Sequence, residues 1–279
     1  MTVAQPPALD RVLPALRCPL CDGSLHRDGP RLRCVTGHSY DVARQGYVNL
    51  LSGRGVATGD SAAMVAARSA VLAAGLLDGV TAAVVAAASP ADGLVLDLAG
   101  GTGHYLAAVL ARDPASSGVC LDASGPALRR AARAHPRAAA IGADAWGRLP
   151  LADASVSRVL SVFGPRNAAE LDRVLAAAGR TVVAAPTAAH LHEVVAPLGM
   201  LRVDPHKQQR QASTFARFAS AAADHVRYEL RLDHAQLAAL VGMGPTGAHV
   251  SPDELAARVR ALPDPTTVTV AVDVTTYTR

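Results

Sequence analysis

From about residue 93 the chain alternates short, unbroken apolar runs with stretches in which Ala and Leu recur at helical spacing. The runs 94–98, 118–122, 138–143, 156–163 and 181–185 carry few polar residues at alternate positions. They read as strands covered on both faces. Residues 105–112, 126–134 and 168–178 read as the helices between them. This order predicts an α/β fold built on an open parallel sheet. Residues 266–277 alternate Val and Thr, as paired terminal strands with a turn near Asp273 or as one long strand. Ahead of the sheet, residues 62–74 have a helical pattern with Asp60 or Ser61 as cap. The Gly-rich stretch 52–61 has no apolar period and reads as a linker.

The first sixty residues follow a different logic. Three of the four cysteines fall between residues 18 and 34. Cys18-x2-Cys21 makes one knuckle, and Cys34-x3-His38 makes a second. Zn²⁺ takes four tetrahedral thiolate or imidazole ligands, and Cys18, Cys21, Cys34 and His38 supply them as a Cys3His set. Asp28-Gly29-Pro30 between Leu25 and Leu32 reads as a hairpin turn joining the knuckles, as in a zinc ribbon. So short a segment cannot build its own core, and a closed four-ligand site argues for structural Zn²⁺. Tyr40, Arg44 and Tyr47 follow the last ligand. Aromatic and cationic groups together suit RNA loops and ends, and two packed tyrosines on a solvated ribbon fit the same pattern.

In the sheet region the chemistry falls at strand ends, where open parallel sheets bind ligands. The first turn reads Asp97-Leu98-Ala99-Gly100-Gly101-Thr102-Gly103-His104. Its glycines let the backbone approach a ligand at a helix N-terminus. Asp122 ends the second strand, where a carboxylate meets ribose hydroxyls, and Asp144 follows the third, where an acid meets an adenine amino group. Counted from Gly101, a dinucleotide fingerprint would need glycine where Leu106 stands. The acid before the turn and the missing glycine favour S-adenosyl-L-methionine over NAD. Asp97, Gly101, Gly103, His104, Asp122 and Asp144 are the cofactor candidates; loop capping is the simpler role open to Asp97 and Asp122. Phe163-Gly164-Pro165-Arg166 closes the fourth strand on the acceptor side, with Phe163 as a stacking ring or as a core residue. Cys120, inside an apolar strand, reads as packing. The polar segment 204–210 precedes residues 213–218 and reads as substrate-side or as a solvated basic face. Lys207, Arg210 and Arg217 are its candidates for RNA contact.

Composition bounds the partners. The 279 residues are 50% hydrophobic and 18% charged, which excludes wholesale disorder. No apolar run has the roughly 20 residues of a membrane span, and no secretory signal opens the chain, so a cytoplasmic protein without a membrane partner is expected. The net charge is +4, and residues 1–59 carry +3 of it. The division expected is a zinc ribbon and linker at 1–59 and a catalytic domain at 60–279.

Taken together, these residues resemble the bacterial 23S rRNA guanine-N1 methyltransferases of the RlmA type, a family that includes the tylosin-resistance methyltransferase of macrolide producers. The likeness covers most of the chain. It rests on Cys18-x2-Cys21, Cys34-x3-His38, Tyr40-Asp41, the run from Gly46 to Leu51, and Gly59-Asp60-Ser61-x2-Met64-x2-Ala67-Arg68. It continues through Asp97 to Gly103, Asp122, Phe163-Gly164-Pro165 and His206-Lys207; Ala99 departs from the glycine usual in such turns. The resemblance implies a zinc ribbon that helps recognise RNA, a Rossmann-like catalytic domain, and a homodimer framing an RNA cleft. It implies methylation of a guanine in a 23S rRNA hairpin loop near the peptide exit tunnel, with macrolide resistance as the outcome. A small-molecule methyltransferase would share the core but leave the basic ribbon unexplained. A non-enzymatic zinc module for RNA would not need Asp97, Gly101, Gly103 and Asp122.

Overall fold

The computed structural model describes residues 7–51, 59–201 and 207–279, with backbone alone at 207–210. Helix α1 (Ala8–Val12) precedes a three-stranded antiparallel ribbon of β1 (Leu25–Asp28), β2 (Arg31–Cys34) and β3 (Ser39–Asp41). The hairpin has the expected turn, with Asp28 opposite Arg31 and Leu25 opposite Cys34. Leu25, Leu32, Cys18 and Cys34 face inward and are buried. Strand β4 (Val48–Asn49) then leaves the ribbon for the large sheet.

Helices α2 (Ala62–Ala73) and α3 (Asp78–Ala88) follow. Ser61 caps α2 by accepting the Met64 amide at 3.2 Å. The βα alternation is then β5 (Leu94–Leu98), α4 (His104–Arg112), β6 (Ser117–Asp122), α5 (Gly125–Ala131), β7 (Ala138–Gly142), β8 (Val156–Val162), α6 (Ala168–Val174) and β9 (Leu175–Pro186). The C-terminal part adds α7 (His192–Leu198), α8 (Lys207–Thr214), β10 (Ala219–Leu232), α9 (His234–Gly242), α10 (Thr246–His249), α11 (Pro252–Arg260) and β11 (Thr266–Thr278). The eight-stranded order is β10-β11-β9-β8-β5-β6-β7-β4. The six strands from β9 to β4 run parallel, while β10 and β11 are antiparallel additions. Strand order reverses at β5, between β6 and β8, which opens a crevice at the strands' carboxyl ends.

Two expectations change. Residues 168–178 are not one helix: α6 ends at Val174, and Leu175 already lies extended opposite Val156. The alanines that follow have strong helix propensity, but Leu175 before them and residues 180–184 after them pair with β8, and the alanines lie in the irregularity between. The terminal Val/Thr stretch is one strand, paired with β10 along its length and with β9 over Val272–Thr278. The linker at 52–58 lies outside the described residues. Among the described residues no single helix is long and apolar enough to cross a membrane; the apolar pair α2 and α3 is bent by 84°, and α3 buries Val80, Val84 and Ala88 in the core.

Candidate functional site

The four predicted metal ligands converge. Cys18, Cys21 and Cys34 Sγ and the His38 ring lie with their ligand atoms all within 4.8 Å of one another. Cys21 and Cys34 Sγ are 3.7 Å apart. His38 Nδ1 is 3.5 Å from Cys18 Sγ and 3.3 Å from Cys34 Sγ. A tetrahedron with 2.3 Å Zn–S bonds has edges of about 3.8 Å, so these residues fit Zn²⁺. Polar neighbours surround the sulfurs. Tyr40 Oη lies 3.0 Å from Cys18 Sγ, and Thr36 Oγ1 lies 3.0 and 3.1 Å from Cys21 and Cys34 Sγ. Burial pushes the Cys34 thiol up, but the Thr36 hydroxyl and the Thr36 and His38 amides outweigh it and bring it down to about 6. Hydroxyl and amide donors of this kind tune ligand charge. Tyr40 is half-buried against the ribbon core, and Tyr47 packs against the core of the large sheet. Both tyrosines therefore have packing roles. Arg44 is exposed on the turn between them.

The second site is a cavity of about 980 Å³ over the carboxyl ends of the parallel strands. Asp97, Gly100, Asp122, Asp144 and Phe163 to Arg166 all line it. Gly101 does not itself line it; its amide donates to Asp122 Oδ2 at 2.8 Å, while Ser124 N donates to Oδ1 at 2.8 Å. Asp122 thus does cap the loop, yet each carboxylate oxygen keeps a lone pair. Burial raises its pKa against those two amide donors. Gly100 passes so close above Asp97 that a Cβ there would lie 2.5 Å from the carboxyl carbon. Gly101 has φ +57° and faces the Arg68 guanidinium. Asp144 accepts the Trp146 amide at 2.9 Å. His104 and Gly103 are placed differently: neither lines the cavity. The His104 ring lies 3.1 Å from Thr81 Oγ1 on α3, and Gly103 gives α4 its close fit on Ala131 and Ala134.

Four buried side-chain polar atoms lack a partner among the described residues: Asp97 Oδ2, Tyr105 Oη, Arg166 Nε and Thr181 Oγ1. The first three belong to residues lining this one cavity. Each such atom costs about 1–3 kcal/mol unless something bonds it. Burial, with a smaller push from Asp122, drives the Asp97 carboxyl up to about 7. Burial also pulls the Arg166 guanidinium down. The cavity is built to be filled by a polar ligand, and acids at the ends of β5 and β6 with a glycine cradle fit a cationic, diol-bearing cofactor such as S-adenosyl-L-methionine.

The acceptor side is formed where β8 ends. Phe163 has φ +55° and is 40% exposed, so it is not a core residue. Its amide donates to Ala184 O at 2.9 Å, and Ser161 Oγ donates to Pro165 O at 3.1 Å, which hold the turn in a conformation costly for a bulky residue. Its ring stacks on His190, with centroids 6.1 Å apart. From the opposite wall come Gln211 and Thr214 of α8 and residues 243–246 after α9. Phe215 and Phe218 turn inward, where Phe215 stacks on Tyr277 at 4.2 Å. Arg217 is exposed beside them. His206 lies outside the described residues, as do the side chains of Lys207 and Arg210.

Three contributors were given no site role from the sequence, although Arg68 ends one of the motifs behind the family resemblance. Arg68 of α2 forms an ion pair with Asp60 and donates to Met243 O at 3.0 Å, joining the two walls. Tyr105 carries an orphan hydroxyl. Trp146, the chain's single tryptophan, is 65% exposed on the cavity rim. A lone, costly aromatic two residues after Asp144 was the available signal.

Known proteins resemble both regions of the chain. Residues 16–53 match the N-terminal zinc-ribbon family model described as "RlmA, N-terminal", and residues 95–184 match a methyltransferase domain. The "Putative 23S rRNA (guanine-N(1)-)-methyltransferase" of Micromonospora griseorubida is 50% identical, covering 95% of this chain and 98% of its own. The 23S rRNA (guanine(748)-N(1))-methyltransferase of Streptomyces fradiae is 45% identical, covering 93% and 95%. A solved Bacillus halodurans structure described as a "putative methyltransferase" superposes with a TM-score of 0.51 at 16% identity, over 71% of this chain and 97% of its own. That last likeness bears on the fold alone.

Proposed function

The chain belongs to the 23S rRNA (guanine-N1)-methyltransferase family, and from that premise we propose that it methylates N1 of one guanine in a hairpin loop of 23S rRNA near the peptide exit tunnel. The modified base would hinder macrolides such as tylosin. Residues 1–59 would serve RNA recognition and 60–279 the transfer, in a cytoplasmic homodimer. What carries the reading is that both relatives match this chain over its ribbon and its core together.

S-adenosyl-L-methionine supplies the electrophilic methyl group when bound. Asp122 would hold its ribose hydroxyls, Asp144 its adenine amino group, and Asp97 with the Gly100–Gly101 backbone its amino-acid end. The acceptor guanine must be unpaired or flipped to enter so recessed a cavity. Phe163 offers a ring for it to stack on. N1 of guanine carries a proton at neutral pH, and its loss builds negative charge on the ring. Arg166 is a half-buried cation at that end, and its guanidinium would stabilise such charge in a site sheltered from water.

Primer extension on 23S rRNA from cells with and without the protein tests this. A stop at one guanine, present only with the protein, is expected, together with reduced tylosin sensitivity. Methyl transfer to small molecules with no mark on rRNA would replace the reading by a natural-product methyltransferase.

A further inference from the structure

The solvent face of α5 carries Arg129 and Arg130, and the turn that continues it carries Arg133; all three are exposed. Ala127, Leu128 and Ala131 fill the opposite face and are buried. Between Asp122 and Asp144 the sequence holds four arginines and no acid. The fourth, Arg137, is committed inward: its guanidinium donates to the carbonyls of Leu110, Asp113, Pro114 and Ser116. The other three project from one helical surface at positions i, i+1 and i+4 with nothing anionic beside them.

This surface joins the two functional sites. At its start, Ser124 caps α5, and its hydroxyl bonds Asp60 O at the cavity rim. At its end, Ala132 meets the ribbon: a Cβ on Gly46 would lie 3.9 Å from Ala132 Cβ. Arg44 sits on that same ribbon turn. Among the described residues no carboxylate lies within ion-pair distance of Arg44, Arg129, Arg130 or Arg133. Three neighbouring ribbon arginines are paired: Arg27 with Asp10, Arg31 with Asp41 and Arg33 with Asp28. On β10, Arg227 and Arg231 flank Glu229. Mixed signs like those describe an ordinary solvated face, whereas an acid-free arginine surface is an electrostatic footprint for a polyanion.

The geometry points to a second RNA-contacting surface: the outer face of α5, continued through Arg44, binds the sugar-phosphate backbone of the RNA that flanks the target base. The inference rests on rRNA being the substrate. A helix of this length spans about 10–15 Å, enough to meet two or three successive phosphates. These contacts set register between ribbon and cavity and carry no sequence information.

The test uses the full-length, zinc-loaded protein and a 23S rRNA hairpin transcript. Affinity is measured against KCl concentration for the wild type, the triple variant Arg129→Gln/Arg130→Gln/Arg133→Gln, the matching Arg→Lys triple, and a control Arg227→Gln/Arg231→Gln. Calorimetry with S-adenosyl-L-methionine checks that each variant is folded. The Gln triple should bind RNA roughly 10–100-fold more weakly near 0.1 M salt, with a salt slope shallower by about 2–3. The Lys triple and the control should stay within about threefold of wild type, since each keeps the point charges that matter. A Gln triple equal to the control in affinity and slope overturns the proposal. So does a Gln triple that is impaired on ribosomal particles but normal on naked RNA, which would assign the surface to a protein partner. A wild type that leaves rRNA unmethylated in primer extension brings down the functional reading itself, and the surface with it.

Discussion

The ribbon and the large sheet reach order by opposite routes. The ribbon has three short strands, and its four metal-ligating side chains converge in a Cys3His cluster. In the sheet, β5 and β7 are buried at every position, with apolar side chains throughout except at Asp97. The comparison teaches where polar groups are tolerated. In the ribbon they gather around sulfurs that a cation neutralises. Around the large sheet, three of the four partnerless buried polar atoms among the described residues belong to residues that line one cavity.

The strongest way to break this contrast is to remove one sulfur. Cys18→Ala should abolish zinc retention, because a structural zinc contributes on the order of 10 kcal/mol to a small domain. Metal content and near-ultraviolet dichroism should show a disordered ribbon, while S-adenosyl-L-methionine binding persists within about tenfold. Full zinc retention would show that Cys18 is not a needed ligand, and complete collapse of the sheet would show that the two regions are not separately held.

A smaller effect probes the sheet's stored cost. Asp97 binds its proton up to about pH 7 when folded and releases it near 3.8 when unfolded. Between those values the folded state holds the extra proton, so stability falls as pH rises and levels off above about 7. The whole change is at most about 4 kcal/mol. Asp97→Asn should flatten that stretch of the stability–pH curve in denaturant melts without cofactor; an unchanged slope would mean the carboxyl is not the strained group. The smallest effect sharpens the role of Asp122. Asp122→Ala leaves the Gly101 and Ser124 amides without their acceptor and should weaken cofactor binding by about 2–3 kcal/mol, with ribbon zinc untouched. An unchanged dissociation constant in calorimetry would leave Asp122 as a loop cap only.

What was legible in the sequence follows the same divide. The metal site could be read from spacing because all four ligands lie within 21 residues and each knuckle is a local turn. The acids at the ends of β5 and β6 were legible because strand periodicity fixes where a strand stops. Arg68 and Tyr105 were not, since their importance comes from α2 and α4 folding over the glycine turn, a contact with no local signature. The end of α6 was misplaced for a related reason: the alanines 176–178 favour a helix, and only the pairing of Leu175 and of residues 180–184 with β8 on either side of them draws the chain out. Phe163 left two readings open, and the positive φ that turns its ring outward has no mark in composition.

One short strand has a consequence for handling the molecule. Val48 and Asn49 pair with Ile141 and Gly142, so the last residues of the ribbon segment form the outermost rung of the catalytic sheet. Cutting the chain just after them would strip β7 of its neighbour and leave a row of unsatisfied amides and carbonyls on a strand made of Ala, Ile and Gly. Such an edge invites other strands. A ribbonless catalytic fragment should therefore be sticky, and the metal-bearing appendage doubles as a guard against self-association.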